Sequence, residues 1–444
     1  MKKMLLGTVA ALVLPFGAAH AEQLVFDHVT LVDGNGGPAQ PDMTVAVDNG
    51  VFTVITPTIA ASKVAGRHID AKGKYLMPGL TDVHIHLGGA GTISKREVGV
   101  QALASYLYSG VTTIYDAGNQ PDFILGLRAD ERAGKILSPR ILATGNLITY
   151  PGSHGAAMAM TIDSWPQGKA VADKHIAEQN PDIVKLTYEE HGWGSRPMIP
   201  MLSKELMEDI IHYYNAQGIR TTVHTSSELR ATEAIYAGTD SLAHPVIQGP
   251  VSDEFVRLMG AKKTPMATTL TIGEGYSRLV EHPEYLDQPL YVASLSKEQI
   301  TTLKGKTRDE WKERSWTWWM KLMTPIAQEN LRKVDAAGGV VAIGTDQSSG
   351  PAVHREMELM QAAGIKPAEI VRIATLNSAK HLGLEDTLGT ITPGKIADAL
   401  MLSADPTADV NNMKAIVMVM KAGVMIDETK LPLAGGPQKK RRDF

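Results

Sequence analysis

The sequence predicts an α/β protein: a (β/α)8 TIM barrel carrying a small composite β-sandwich domain assembled from the two ends of the chain. Three observations predict it. Eight short apolar runs alternate with helical stretches over about 300 central residues. Short alternating strands occur at both ends of the chain. Histidines, a lysine and an aspartate recur where the central runs end, and strand ends meet at one face of such a barrel.

The first 21 residues stand apart. Lys2 and Lys3 precede an apolar stretch from Met4 to about Gly17, and Ala19-His20-Ala21 has the small-x-small form of a cleavage site. The segment reads as a signal peptide, so a mature chain starting near Glu22 is expected to be exported, periplasmic or secreted. No later segment reaches the ~18 consecutive apolar residues of a membrane helix, so no membrane association is expected after cleavage. The chain has no cysteine, so disulfides are excluded and metal ligands must be His, carboxylate or a modified lysine.

From Gln23 to Tyr75 the chain reads as short strands. "MTVAVDNGVFTVI" places Asn49-Gly50 between two alternating runs, the strongest short hairpin signal. The same texture returns at 389–402 and 415–427, so residues 22–77 and 388–432 are assigned to one composite β domain. The barrel is assigned to 78–387, with strands expected at 81–86, 111–118, 140–145, 182–187, 219–224, 240–244, 264–270 and 339–346. Between them, "SKELMEDIIHYYNAQG" is a helix with Ser203 as N-cap and Gly218 as its stop. Residues 271–323 form an insertion holding four of the six tryptophans. An insertion after a strand lies over the barrel's C-terminal face, so a lid or substrate wall is expected, with a private core or subunit interface as the alternative. The tail, 433–444, contains "KKRR" at 439–442 and reads as a solvated segment. With a net charge of −4 and no other basic run, nucleic-acid binding is not expected.

His84 and His86 are two apart in an apolar run and share one face of a strand. They could hold a metal ion or be ordinary histidines beside the Pro78-Gly79 turn. The fourth strand carries Lys185, His224 ends the fifth, His244 the sixth and Asp346 the eighth. A lone strand-end histidine is more often structural, but a set in register with the strands points to one shared centre.

With these motifs, "PGLTDVHIHL", Lys185, "HTSS", "SLAHP", "AIGTD" and the segment 354–402, the chain resembles the amidohydrolase superfamily, within it the prolidase-like and imidazolonepropionase-like enzymes. The resemblance implies two divalent metal ions. His84 and His86 would hold one, His224 and His244 the other, and Lys185, carbamylated by carbon dioxide, would bridge them. Zinc is the first expectation, with manganese, cobalt and iron compatible with the same ligands. A water shared by the two ions would become the hydroxide nucleophile, and Asp346, beside it, would act as general base besides touching the metal.

Mononuclear deaminases of this type place a glutamate three residues after the fifth-strand histidine. Here that position is Ser227, which favours two-metal hydrolysis. Peptidase relatives have a tyrosine two residues after that histidine and Glu-His-Gly at the sixth strand. This chain has Ser226 and Ala243-His244-Pro245. His154 and Tyr188 are candidate substrate contacts, Tyr188 as a donor to a developing oxyanion, and Arg196 and Arg230 are candidate partners for a substrate carboxylate.

The expected function is binuclear, metal-dependent cleavage of an amide-type C–N bond in a small substrate, a dipeptide or N-acyl amino acid. Lactone or phosphotriester hydrolysis is the alternative chemistry, and a non-catalytic metal or ligand binder is the alternative of another class. The expected partner is a small molecule, and the resemblance leaves room for a homo-oligomer.

Overall fold

The computed structural model describes residues 23–61, 64–89, 95–191 and 198–441. The expected signal peptide lies outside them, as does Arg196. Among the described residues no helix is long and apolar enough to cross a membrane.

The N-terminal strands are β1 (Leu24–Leu31), β2 (Gln40–Asp48), β3 (Val51–Pro57), β4 (Arg67–Asp70) and β5 (Tyr75–Pro78). Asn49 and Gly50 join β2 to β3 with φ of 49° and 80°. Two successive positive φ values give the turn a twist that matches the strands it joins. The expected hairpin is therefore present.

Ten strands follow: β6 (Leu80–Ile85), β7 (Val111–Asp116), β8 (Arg140–Ala143), β9 (Leu147–Thr149), β10 (Ala159–Thr161), β11 (Ile183–Thr187), β12 (Arg220–His224), β13 (Ser241–Leu242), β14 (Met266–Ala267) and β15 (Val341–Ala342). Each of the eight expected runs contains a strand. The short pair β9 and β10 is additional. These strands form two parallel sheets, β6-β7-β8 and β10-β9-β11-β12-β13-β14-β15. A few hydrogen bonds link the edges of the two sheets. The Asp182 amide donates to the Ala143 carbonyl at 3.0 Å, and the Val83 amide to the Ile343 carbonyl at 2.8 Å. Val184, Val223, Leu242, Met266 and Val341 on these strands are buried in the main core with the surrounding helices. Each such aliphatic side chain contributes about 1.5–3 kcal/mol by leaving water.

The chain then returns to the first sheet as β16 (Ala399–Leu402), β17 (Ile416–Lys421) and β18 (Val424–Met425). Antiparallel pairing of β16 with β5 unites the two chain ends in one eight-stranded sheet. Phe26, Val45, Phe52, Met401 and Met418 pack into a core separate from the main one.

The expected helix after β11 spans Lys204–Ala216, with the Ser203 hydroxyl accepting the Leu206 amide at 3.1 Å. The insertion is a string of short helices between the helices Leu270–Glu281 and Ser315–Ala336. The tail is solvated as expected at Lys439 and Lys440, which are exposed, but is anchored at two other points. Arg441 stacks over the Tyr108 ring at 3.6 Å and donates to the Tyr108 carbonyl at 2.9 Å, and the Gly435 amide donates to the Ala293 carbonyl at 3.0 Å. A guanidinium on an aromatic face buries its flat surface while its N–H groups stay bonded, which ties this segment down.

Candidate functional site

Strand β6 turns His84 and His86 to one face. The His84 Nδ1 donates to the Ala243 carbonyl at 2.8 Å, and the His86 Nδ1 to the Gly118 carbonyl at 2.7 Å. A carbonyl only accepts, so each ring carries its proton on Nδ1 and turns the Nε2 lone pair inward, as a metal ligand must. The Lys185 Nζ lies 2.8 Å from the His84 Nε2. Asp346 Oδ1 lies 3.4 Å from the His86 Nε2 and 3.8 Å from the His84 Nε2. His244, at the end of β13, sets its ring 4.4 Å from His84 and 4.3 Å from His224, while its Nδ1 meets the Thr269 hydroxyl at 2.9 Å. His154 stacks on His224 at 4.6 Å. Ring contacts thus link five imidazoles in the order His86, His84, His244, His224, His154.

Among the described residues, two groups could each hold a cation: His84, His86 and Asp346, and His154, Glu189 and His224. Within each, the candidate ligand atoms lie within 4.8 Å of one another. Imidazole nitrogen with carboxylate oxygen is a donor set that suits zinc and its divalent neighbours.

Burial, reinforced by the Lys185 charge, holds His84 well below its ordinary range and His86 at about 3. Burial, then the neighbouring His224, does the same to His244. The rings are therefore neutral near pH 7. Burial lowers the Lys185 amine to about 8 against the pull of Asp346, Asp116 and Glu189. Asp346 is pushed up to about 7 by burial, with Lys185 pulling the other way. For Glu189 burial is outweighed by His224, His154 and the Ser226 hydroxyl, which hold it at about 2.

Local sequence explains why the side chains sit there. In "AIGTD", a Cβ on Gly344 would lie 2.8 Å from the His84 Cβ, so only glycine lets this strand pass. Asp346 has a φ of 53°, a strained region for a non-glycine residue. The His84 carbonyl accepts the Asp346 amide at 2.7 Å, and Asp82 holds the preceding Thr345 by its amide (3.0 Å) and its hydroxyl (2.7 Å). The strain is thus held where the carboxylate is aimed at the two histidines. Asp116, buried at the end of β7, accepts the Leu87 amide at 2.9 Å and Asn119 at 3.0 Å, fixing the turns on both sides of His86.

His84, His86, Lys185, His224, His244, His154 and Asp346 all lie in this cluster. Tyr188 does not, which corrects its expected role as an oxyanion donor. Its hydroxyl donates to Glu233 at 2.7 Å and meets Arg230 at 3.3 Å, on the far side of β11. The reason is parity: along an extended chain Lys185, Thr187 and Glu189 share a face and Tyr188 takes the other. Arg230 is likewise engaged, by Glu190 at 3.1 Å and Glu233 at 2.8 Å, so it offers no ready anchor for a substrate carboxylate. Glu189 and Asp116 were not singled out from the sequence. Glu189 was legible by the same parity from Lys185, whereas Asp116 carries no comparable signal.

The cluster floors a cavity of about 950 Å³. Its wall comes from the insertion, where Tyr276 packs against Trp311 at 4.2 Å and Trp316 at 4.5 Å. Trp318 points outward, 37% exposed.

A cluster of imidazoles and carboxylates at parallel strand ends defines a candidate metal centre. The amidohydrolase family matches residues 75–426, and the chain belongs to that family. An uncharacterized protein of Mycobacterium tuberculosis is 27% identical over 234 residues, 51% of this chain and 59% of that one. The chain thus spans less than two thirds of that relative's length. Ochratoxinase of Aspergillus niger is 21% identical over 435 residues, covering 88% of this chain and 84% of the relative. Among solved structures, a Xaa-Pro dipeptidase with bound methionine in the active site superposes with a TM-score of 0.72 at 22% identity, covering 91% of this chain and all (100%) of that one. That likeness concerns the fold.

Proposed function

We propose that the protein is a binuclear metal-dependent hydrolase that cleaves an amide-type C–N bond in a small substrate, a dipeptide or N-acyl amino acid. The observation that carries this reading is the cavity floor, where five imidazoles, Asp346, Glu189 and a buried lysine converge. Structural likeness to a Xaa-Pro dipeptidase supports the choice of an amide over other bonds.

His84 and His86 with Asp346 would hold one ion; His224 and His244, joined by His154 and Glu189, would surround the other. Bound there, divalent ions, zinc first, supply Lewis acidity and an acidified water. The lysine amine fits carbamylation: the ammonium gives up one proton to water, the neutral nitrogen forms a bond to the carbon of carbon dioxide and loses a second proton, and a cation among imidazoles would become an anion. Asp346 accepts the proton of the attacking water and hands it to the leaving nitrogen, from a position its backbone contacts have fixed. The rest of the reading follows from the same assignment. The two parallel sheets are the two parts of a (β/α)8 barrel over 78–387, residues 22–77 and 388–432 make the β-sandwich domain, and residues 1–21 export the chain to the periplasm or beyond.

The test is metal content of the mature chain, purified without chelators and with bicarbonate, alongside turnover of dipeptides, N-acyl amino acids, lactones and phosphotriesters. About two equivalents, reduced in Lys185→Ala, with turnover confined to the amides, is expected. One equivalent indifferent to Lys185 would overturn the bridged centre, and turnover of only the lactones or phosphotriesters would overturn the amide assignment.

A further inference from the structure

Three arginines line the cavity above the metal-capable floor, and their partners differ. Arg355 is held by Glu274 at 2.7 Å and Glu358 at 2.8 Å. Arg314 is exposed at the rim, 5.6 Å from the Tyr276 ring. Arg278 is half-buried. Its guanidinium lies 4.0 Å over the Tyr285 ring and 5.9 Å from Tyr291, whose hydroxyl accepts a bond from it at 3.4 Å.

Among the described residues no carboxylate lies within 4.0 Å of Arg278. Glu274, one turn earlier on the same helix, is the partner of Arg355. Glu313, the other carboxylate of the wall, is exposed. A guanidinium has five N–H donors in a planar fork, and removing them from water without an anion is costly. The stacked ring offsets part of that cost and also fixes the plane of the fork. Leu286, Leu295 and Leu303 give the same cavity apolar surface.

The geometry points to Arg278 as an anion anchor that accepts a substrate carboxylate remote from the bond being cleaved. The apolar part of the same molecule lies against Tyr276, Trp311 and the leucines. The substrate class is therefore a carboxylate-terminated molecule with a bulky apolar or aromatic group, such as an N-acylated aromatic amino acid. This substrate assignment rests on the hydrolase reading given above, whereas the anchor itself does not.

The test is calorimetric binding to the metal-loaded full chain with 3-phenylpropionate and its uncharged counterpart 3-phenylpropanamide, which need no turnover. The wild-type protein is expected to bind the acid at least about tenfold tighter, the ratio one charge-assisted hydrogen bond supplies. In Arg278→Met the preference should vanish while amide affinity stays within about twofold, and Arg278→Lys should recover part of it. Equal affinities in the wild-type protein, a measurement that needs no variant, would overturn the anchor. So would an acid preference that survives in a folded Arg278→Met, since the carboxylate would then sit on the floor. Acid preference without turnover of any amide would leave the anchor standing and remove the hydrolase reading; turnover without acid preference would do the reverse.

Discussion

The cavity has a floor and a wall, and they are built on different principles. The floor side chains stand at or just beyond the ends of parallel strands, and all but His154 and Asp346, which are partly buried, are buried. His84, His86 and His244 each have Nδ1 engaged by a carbonyl or hydroxyl from a neighbouring element. The wall side chains stand on three helices of the insertion, Tyr276 on Leu270–Glu281, Trp311 on Arg308–Lys312 and Trp316 on Ser315–Ala336, are half-buried, and hold one another by ring contacts. Strand register fixes where the floor can do chemistry, whereas an insertion that touches none of those hydrogen bonds decides what reaches it. Floor and wall should therefore fail separately when they are altered.

The largest effect is expected on the floor. Asp346→Asn keeps the size of the side chain and removes its capacity to take a proton. Turnover should fall about 10²–10⁴-fold, the range for loss of one general base. Metal content measured on the same preparation should change little, because His84 and His86 remain. A variant that retains full turnover would deny Asp346 its part in the chemistry.

The same division separates what could be read from the sequence. The floor was legible because His86, His224, His244 and Asp346 each end a short apolar run, with His84 and Lys185 two residues before the ends of theirs, and parallel strands bring such ends together. Glu189 and Tyr188 were a question of parity, answerable once Lys185 is set facing inward. The wall was legible only as a tryptophan-rich stretch. Nothing local distinguishes Trp311 and Trp316, which line the cavity, from Trp318, which donates its indole N–H to the Lys312 carbonyl at 3.0 Å at the surface. Arg441 on Tyr108 was hidden for a similar reason, since a basic tail has the composition of a solvated segment and only a distant aromatic ring gives it a place.

Two milder substitutions sharpen the contrast. Gly344→Ala places a methyl group 2.8 Å from the His84 Cβ, so β6 and the chain after β15 must move apart. A loss of about 1–3 kcal/mol is expected from this overpacking, seen as a lower melting temperature together with weaker metal retention. Trp311→Ala removes the ring packed on Tyr276. A KM for aromatic substrates raised about two- to tenfold, with kcat and metal content unchanged, would match the worth of one aromatic pair. If kcat fell instead, the wall would be shaping the chemistry and the separation would not hold.

The smallest effect concerns the far end of the helix Ser315–Ala336, whose first turn carries Trp316 and whose last turn carries Asp335. Asp335 is pushed up to about 7 by burial and by the Glu369 carboxylate beside it, with Arg372 pulling the other way. A folded-state value above the usual 3.8 means that the folded protein binds this proton more tightly than the unfolded chain. Its contribution to stability is thus fully present below about pH 4 and is lost as pH rises towards 7. Asp335→Asn removes the charge, so its melting temperature should gain on that of the wild-type protein between pH 5 and 8, by no more than about 1 kcal/mol after solvent screening. Turnover should be unchanged, because the helix tightens at an end that faces neither His84 nor Asp346. A stability gain accompanied by a change in KM alone would show that this helix transmits its anchoring to the wall and leaves the floor as it was.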